Sequence, residues 1–319
     1  GFDRESLRDQ AVLWFDALPS HYQEEITAMG QGAGCGRWPV LQLLFADIAR
    51  ATSNLDARSA VAGPMCSSVV GTLSGKRWVA RNCDWLPPTL LRGTSAVVHA
   101  VPHRIPVMAV GIRGDIDVDT GLNAEGLWLH LHTLFARDVP DPLRPCISWL
   151  FWAREALETC ATLDELEAFI ASTCRDRGVF AIASEGRTGR SAIFECSCAS
   201  HVRHEVESEM PVCVTNHTLS RDDDDRPRPP ASASGTISRC RALKYSLRDT
   251  PPRTGPDDLM HQLARDGVEM RTPRWLRTIY SAVVEPCSQT IWFASGTPTG
   301  RAAASRGHWS RVTPPGMSR

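Results

Sequence analysis

The stretch GPMCSSVVGTLSGKRWVARNCDW, residues 63–85, decides the fold. Gly63 and Pro64 break what precedes them, and after residue 62 the apolar period changes from helical to alternating. CSSVVGTL and RWVARNCDW then read as two strands, with Ser74-Gly75 as the turn of a β-hairpin. In that pairing, positions near 82–84 lie opposite Cys66. Arg81 or Asp84 would then reach its sulfur or its backbone nitrogen.

Upstream, residues 1–60 read as helical. Leu7, Ala11, Leu13, Trp14 and Leu18 recur at helical spacing, Pro19-Ser20 interrupts, and a second stretch runs from Tyr22 to Met29. After the Gly-rich run GQGAGCG a third stretch opens at Trp38-Pro39. Downstream, SAVVHAV and VMAVGIRG read as strands, and DIDVDTGLNAEGLWLHLHTL as a hairpin turning at Asn123–Gly126. Residues 147–173 return to helix, with Thr162 and Glu165 spaced as a capping box. Strands follow around Gly186, near HVRHEVE and in MPVCVTNHTL. The run 221–235, RDDDDRPRPPASASG, has too many like charges and prolines for regular structure and reads as a surface loop. Helices over 237–248 and 256–266 come next, then a hairpin from TIYSAVVEP and QTIWFASG. Strands that arrive in hairpins, separated by helix pairs, exclude a doubly wound parallel sheet. They fit two sheets packed between helix layers.

Composition narrows the function classes. The 35 basic and 36 acidic side chains leave no electrostatic footprint for nucleic acid. No run of 18 apolar residues occurs, so no membrane span is expected. The opening GFDRESLRDQ lacks the apolar core of a secretory signal, which makes the expected compartment cytoplasmic. Eleven cysteines contain no CxxC pair, and most read as small buried apolar residues. His130 and His132 share one strand face, but no third ligand sits nearby in sequence. They read as a strand face rather than a metal site, and no metal or other cofactor is expected. No GxSxG elbow, HExxH or P-loop is present.

What remains is Cys66, at the head of the first strand. Its surroundings resemble the C45 family of acyltransferases and hydrolases, the isopenicillin-N acyltransferase type of N-terminal-nucleophile enzyme. MCSSVV is similar to that family's cleavage site and nucleophile, ARNCDW to its R-N-x-D-[WF] segment, GLNAEGL to its G-x-N-x-x-GL turn and VTNH to its late strand. Arg239 fits the arginine that opens a later helix. HYQEEITAMGQGAG, DGVEMRT and TIYSAVVEP resemble further segments in the same order, so the resemblance covers most of the chain.

That resemblance implies an α+β fold, an αββα four-layer sandwich of two mostly antiparallel sheets between helix layers. It implies a precursor cut between Met65 and Cys66. Residues 1–65 would stay bound as a helical α chain, and 66–319 would form the catalytic β chain. Cys66 is the implied nucleophile with its own amine as base, Asp84 the holder of that amine, Arg81 a neighbour of the site, and Asn216 the oxyanion donor. Asn123, Arg239 and His217 are implied near the substrate. Read from the residues alone, Asn123 is equally a hairpin-turn residue and Arg239 a helix-surface arginine. Met65 departs from the small residue usual before the nucleophile. The implied reaction makes or breaks an amide bond through a thioester. Its partners would be a small N-acyl amide or acyl thioester, acyl-CoA among them, plus an amine acceptor, in natural-product tailoring. Two other readings stand beside it: an uncleaved, inactive sandwich that binds a partner, and a conventional cysteine hydrolase with His217 as base.

Overall fold

The structure is a computed structural model that describes residues 4–41, 65–85, 94–112, 114–134, 138, 146–206, 211–220, 235–249, 255–271, 277–295 and 309–312. β1 (Met65–Leu73) and β2 (Lys76–Trp85) form the expected hairpin, in register from Leu73 opposite Lys76 to Met65 opposite Asp84. Ser74 and Gly75 both have positive φ, 52° and 74°, as a two-residue turn between twisted strands requires.

The hairpin lies inside a six-stranded sheet of order β10-β1-β2-β11-β12-β13, with β10 at Val212–Val214, β11 at Arg277–Glu285, β12 at Thr290–Ser295 and β13 at Trp309–Val312. A seven-stranded sheet holds β3 (Thr94–His99), β4 (Val107–Ile112), β5 (Thr120–Asn123), β6 (Leu127–Leu134), β7 (Gly178–Glu185), β8 (Ser191–Cys196) and β9 (His201–Glu205) in chain order. All these pairings are antiparallel.

Three apolar layers hold the sandwich together. Val70 and Val79 of one sheet meet Met108, Leu122, Phe180 and Ile182 of the other. Outside the seven-stranded sheet, α3 (Trp149–Thr159) and α4 (Leu163–Ser172) place Trp152, Ala156, Leu157 and Leu166 on Leu129, Val179 and Ala181. Outside the six-stranded sheet, α5 (Thr236–Asp249) and α6 (Pro256–Leu263) place Leu243, Leu247, Leu259 and Leu263 on Val69, Ala80 and Val283. The central strands therefore bury both faces. Val69 and Ala80 point to the helices, and Val70 and Val79 to the other sheet, so these strands do not alternate cleanly with polar residues. The fold is the αββα sandwich of the expected class.

Local details follow the sequence signals with a few departures. Glu165 N donates to Thr162 Oγ1 and Thr162 N to Glu165 Oε2, each at 3.2 Å, which closes the capping box at the start of α4. The helix expected over 256–266 ends at Leu263. Residues 309–312, which carry no clear signal, pair with β12 as an edge strand. The loop expected over 221–235 lies, apart from Gly235, outside the described residues, as does most of the helix expected from Trp38, of which 37–41 are helical.

The N-terminal helices α1 (Arg4–Ala17) and α2 (Ser20–Gly32) pack Ala11, Trp14, Phe15, Leu18, Tyr22 and Ile26 against Phe151 of α3. Fully buried Arg154 of α3 forks onto Glu25 of α2, with both N–H···O distances 2.6 Å, and its Nε donates to Glu158 at 2.7 Å. The Gly-rich run ends α2 in a tight return. A Cβ on Gly30 would sit 2.3 Å from the Gly36 carbonyl oxygen, so no side chain fits there. None of the eleven cysteines is in a disulfide, and seven are buried.

Candidate active site

β1 runs between β10 and β2, and its side chains alternate between two environments. Cys66 and Ser68 point between the sheets, while Ser67 points to α5. Arg81, opposite Ser68, shares the inner face. Asp84, opposite Met65, takes the outer one.

Arg81 Nη2 donates to the Cys66 sulfur at 3.1 Å, and the Cys66 backbone N–H donates to Asn216 Oδ1 at 2.9 Å. The same Oδ1 accepts from Arg239 Nη2 at 2.7 Å, and Asn216 Nδ2 donates to the Thr133 carbonyl at 2.9 Å. Arg239 also donates from Nε to Ser67 Oγ at 3.1 Å and from Nη2 to the Cys66 carbonyl at 3.4 Å. One residue, Cys66, is thus held by its sulfur, its nitrogen and its carbonyl oxygen.

Arg81 is in turn gripped from the other sheet. Its Nη1 lies 3.0 Å from Asp119 Oδ2 and donates to Thr120 Oγ1 at 2.5 Å, and Tyr280 OH donates to Asp119 Oδ2 at 3.0 Å. Burial alone would lower the Arg81 guanidinium. The facing Asp119, then Tyr280 and the two neighbouring cysteines, hold it above its usual range, so it stays charged. Sequence reasoning missed Asp119, Thr120 and Tyr280. Nothing in DIDVDT marks which aspartate turns inward, and Tyr280 reaches the site only through the pairing of β11 with β2.

Of the two residues expected near Cys66, Arg81 meets the sulfur. Asp84 sits on the opposite face, where its Oδ1 accepts from Thr278 Oγ1 at 2.6 Å. Its Oδ2 is buried without a partner among the described residues. Burial pushes the Asp84 carboxyl up to about 6, against the opposing pull of Arg239 and Thr278.

Two expected site residues go elsewhere. Asn123 lies at the end of β5. Its amide donates to the Leu157 and Cys160 carbonyls at 2.8 and 2.7 Å and accepts from the Glu125 and Leu127 N–H groups, which fills its hydrogen-bonding capacity and ties the hairpin end to α3. In the structure its amide serves the turn. The Nδ1 of His217 meets the hydroxyls of Thr215 and Thr236, at 3.0 and 3.1 Å, rather than Cys66.

Beneath the site lies a polar line that joins the sheets. Ser68 Oγ stands 2.8 Å from His130 Nε2 and 2.6 Å from His132 Nε2. Trp128 Nε1 donates to His130 Nδ1 at 2.8 Å, and His132 Nδ1 faces the Thr215 carbonyl at 2.9 Å. Indole N–H can only donate and a carbonyl can only accept. His130 therefore carries its proton on Nε2 and His132 on Nδ1. His130 donates to Ser68, and Ser68 donates to His132. Both imidazoles are neutral, and burial, then Arg81, keeps them well below the usual histidine range.

Among the described residues one group, His21, Glu155 and Glu158, brings three metal-ligating side chains together. Arg104 already lies 2.7 Å from Glu155, and Arg154 2.7 Å from Glu158. The carboxylates are neutralised by guanidinium groups, and the cluster reads as an ion network beneath α2.

Known structures share the fold. An N-acylethanolamine-hydrolyzing acid amidase ortholog from Caenorhabditis elegans is 16% identical, with a TM-score of 0.53 over 70% of this chain and 93% of that one. A mutant conjugated bile acid hydrolase from Clostridium perfringens is 10% identical, with a TM-score of 0.54 over 78% of this chain and 92% of that one. A search of the curated proteins by sequence gives no match. The model of one protein family matches residues 72–299, a span that holds Arg81, Asp84, Asn216 and Arg239 and begins downstream of Cys66. On that match, the chain belongs to the acyl-coenzyme A:6-aminopenicillanic acid acyl-transferase family.

Proposed function

We propose that the chain is a self-processing N-terminal cysteine enzyme that makes or breaks an amide bond on a small N-acyl compound. The observation that carries this reading is the pair of contacts on Cys66: arginine N–H on its sulfur at 3.1 Å, asparagine oxygen on its nitrogen at 2.9 Å. The nitrogen that cleavage would free is already held, on the same residue as the sulfur.

In maturation the Cys66 sulfur attacks the Met65 carbonyl carbon. Its proton passes to the Cys66 nitrogen as the Met65–Cys66 bond breaks, and water hydrolyses the thioester. Residues 1–65 then end in a carboxylate, and 66–319 begin with an amine. Such an amine titrates near ~7.7–8.0 and can take the thiol proton near neutral pH. Asp84, across the ladder from Met65, offers its unpartnered Oδ2 to the new ammonium group. In turnover the sulfur attacks the acyl carbonyl and forms a thioester. Arg81 faces the sulfur, and Asn216, whose Oδ1 accepts from the Cys66 nitrogen, is the residue we assign to the oxyanion. Water completes hydrolysis, and an amine completes acyl transfer. An acyl-CoA thioester enters by the same attack. Attaching or removing an acyl group on an amino scaffold in natural-product biosynthesis is the role we assign.

The test is the intact denatured mass of the wild type beside Cys66→Ala. Two pieces split after Met65 in the wild type, and one chain in the variant, are expected. An uncut wild-type chain whose turnover of N-acyl amides survives Cys66→Ala would sink the reading.

A further inference from the structure

Directly across the hairpin from Cys66 stands a second cysteine. Cys66 and Cys83 are partners in the antiparallel β1–β2 ladder, so both side chains point between the sheets. The backbone fixes the kind of pair. The Cys66 N–H goes to Asn216, just past β10, and its carbonyl to Arg239. Both groups of a strand residue point the same way, so neither turns toward β2. The pair is therefore a non-hydrogen-bonded one, where facing Cα atoms come closest, about 4.5 Å. A disulfide needs Cα atoms roughly 4.4–6.8 Å apart. The ladder sets the two thiols facing each other, and the Cys83 sulfur also lies 3.5 Å from Asp119 Oδ2.

We propose that Cys83 is a resolving thiol for Cys66, which makes this pair a site of reversible oxidation by hydrogen peroxide. The Cys66 sulfur takes one peroxide oxygen to become a sulfenic acid, and the other oxygen leaves as water. The Cys83 sulfur then attacks the Cys66 sulfur. The S–S bond forms, the S–OH bond breaks, and the hydroxyl leaves with the Cys83 thiol proton as a second water. One peroxide is reduced, two thiols are oxidised, and a dithiol reverses the link.

Neighbours divide the roles. Arg81 N–H meets the Cys66 sulfur, whereas Cys83 faces a carboxylate. Burial, then the hydrogen bond with Cys66, pushes the Cys83 thiol well up, so it is the protonated partner. Cys66 and Cys83 are 3% and 2% exposed, which admits a small oxidant before a bulky one. The link stops Cys66 short of sulfinic acid, which thiols do not reverse.

The inference rests on Cys66 being the reactive thiol of the proposed reaction. The full chain is treated with hydrogen peroxide, digested without reductant and mapped by mass spectrometry, beside Cys83→Ser. In the wild type a Cys66–Cys83 peptide is expected, lighter by two hydrogens, and dithiothreitol restores both thiols. In the variant Cys66 gains two oxygens, and recovery by dithiothreitol is lost. Wild-type Cys66 reaching sulfinic acid as fast as in the variant, or linking to another cysteine, overturns the proposal. If the variant does not fold, the wild-type map decides alone. Cys66 that reacts with a thiol-selective electrophile yet never links to Cys83 sinks the resolving role only. Turnover that survives Cys66→Ala sinks the nucleophile reading and leaves the linked peptide to be judged separately.

Discussion

Arg81 is bound to two partners that make different demands. Asp119 needs a positive charge, and the Cys66 sulfur needs an N–H in a fixed direction. Lysine supplies the first but, as a point donor, cannot fork to both. Arg81→Lys should therefore fold and lose turnover by ~100-fold or more, the scale for removing one charge-stabilising donor. Turnover within a fewfold of wild type would show that the guanidinium is not needed at the sulfur. Asp84 makes its own prediction. Its raised carboxyl costs nothing below about pH 4, where it is protonated folded and unfolded alike. The cost grows as pH rises toward about 6, to about 3 kcal/mol. In the uncut Cys66→Ala chain, Asp84→Asn should remove that loss, read as a gain in urea midpoint at pH 7 relative to pH 4. A gain of equal size at both pH values would mean the carboxyl is not the source. The sequence made Arg81 and Asp84 equal candidates for the sulfur. The alternation of β2 separates them, since residues an odd number apart face opposite sides.

At the scale of elements, the β1–β2 hairpin was legible because its turn residues and apolar runs sit close in sequence. The capping box of α4 was legible for the same reason. Neighbours across the sheets were not. Asp119 and Tyr280 reach Arg81 by pairings that no local pattern encodes, and Asn123 looked like a site residue because its motif did, while its amide serves a turn. Ser68 is the sharpest case. In sequence it is one of two serines after a cysteine, and in the fold it joins β1 to β6. Ser68→Ala leaves an N–H of His130 and a ring nitrogen of His132 without partners. The expected cost is about 2–4 kcal/mol, read as a lowered denaturant midpoint. Unchanged stability would mean that water replaces the hydroxyl.

At the scale of the molecule, the two buried histidines and the N-terminal helices set the response to acid and to cleavage. Unfolded, His130 and His132 take protons below about pH 6.5, and folded they refuse them. Their contribution is complete above that pH and is lost as pH falls, opposite in sign to Asp84. The α1–α2 unit holds on through Arg154 and Glu25 and an apolar cluster. Glu25→Ala should loosen it by about 1–3 kcal/mol, because Arg154 keeps Glu158. After the proposed cleavage, native mass spectrometry should then find the N-terminal piece dissociating more readily than in wild type; equal retention would assign its hold to packing alone. The line from Trp128 to Thr215 has one more consequence. A proton wire must be able to reverse every hydrogen bond along it, so that a charge passing through leaves the opposite orientation behind. Here an indole closes one end and a carbonyl the other, and neither can exchange roles. The two imidazoles beneath the site therefore conduct nothing along this line. They are a strut of fixed polarity, and in the proposed reaction the proton traffic is left to Cys66 and its own nitrogen.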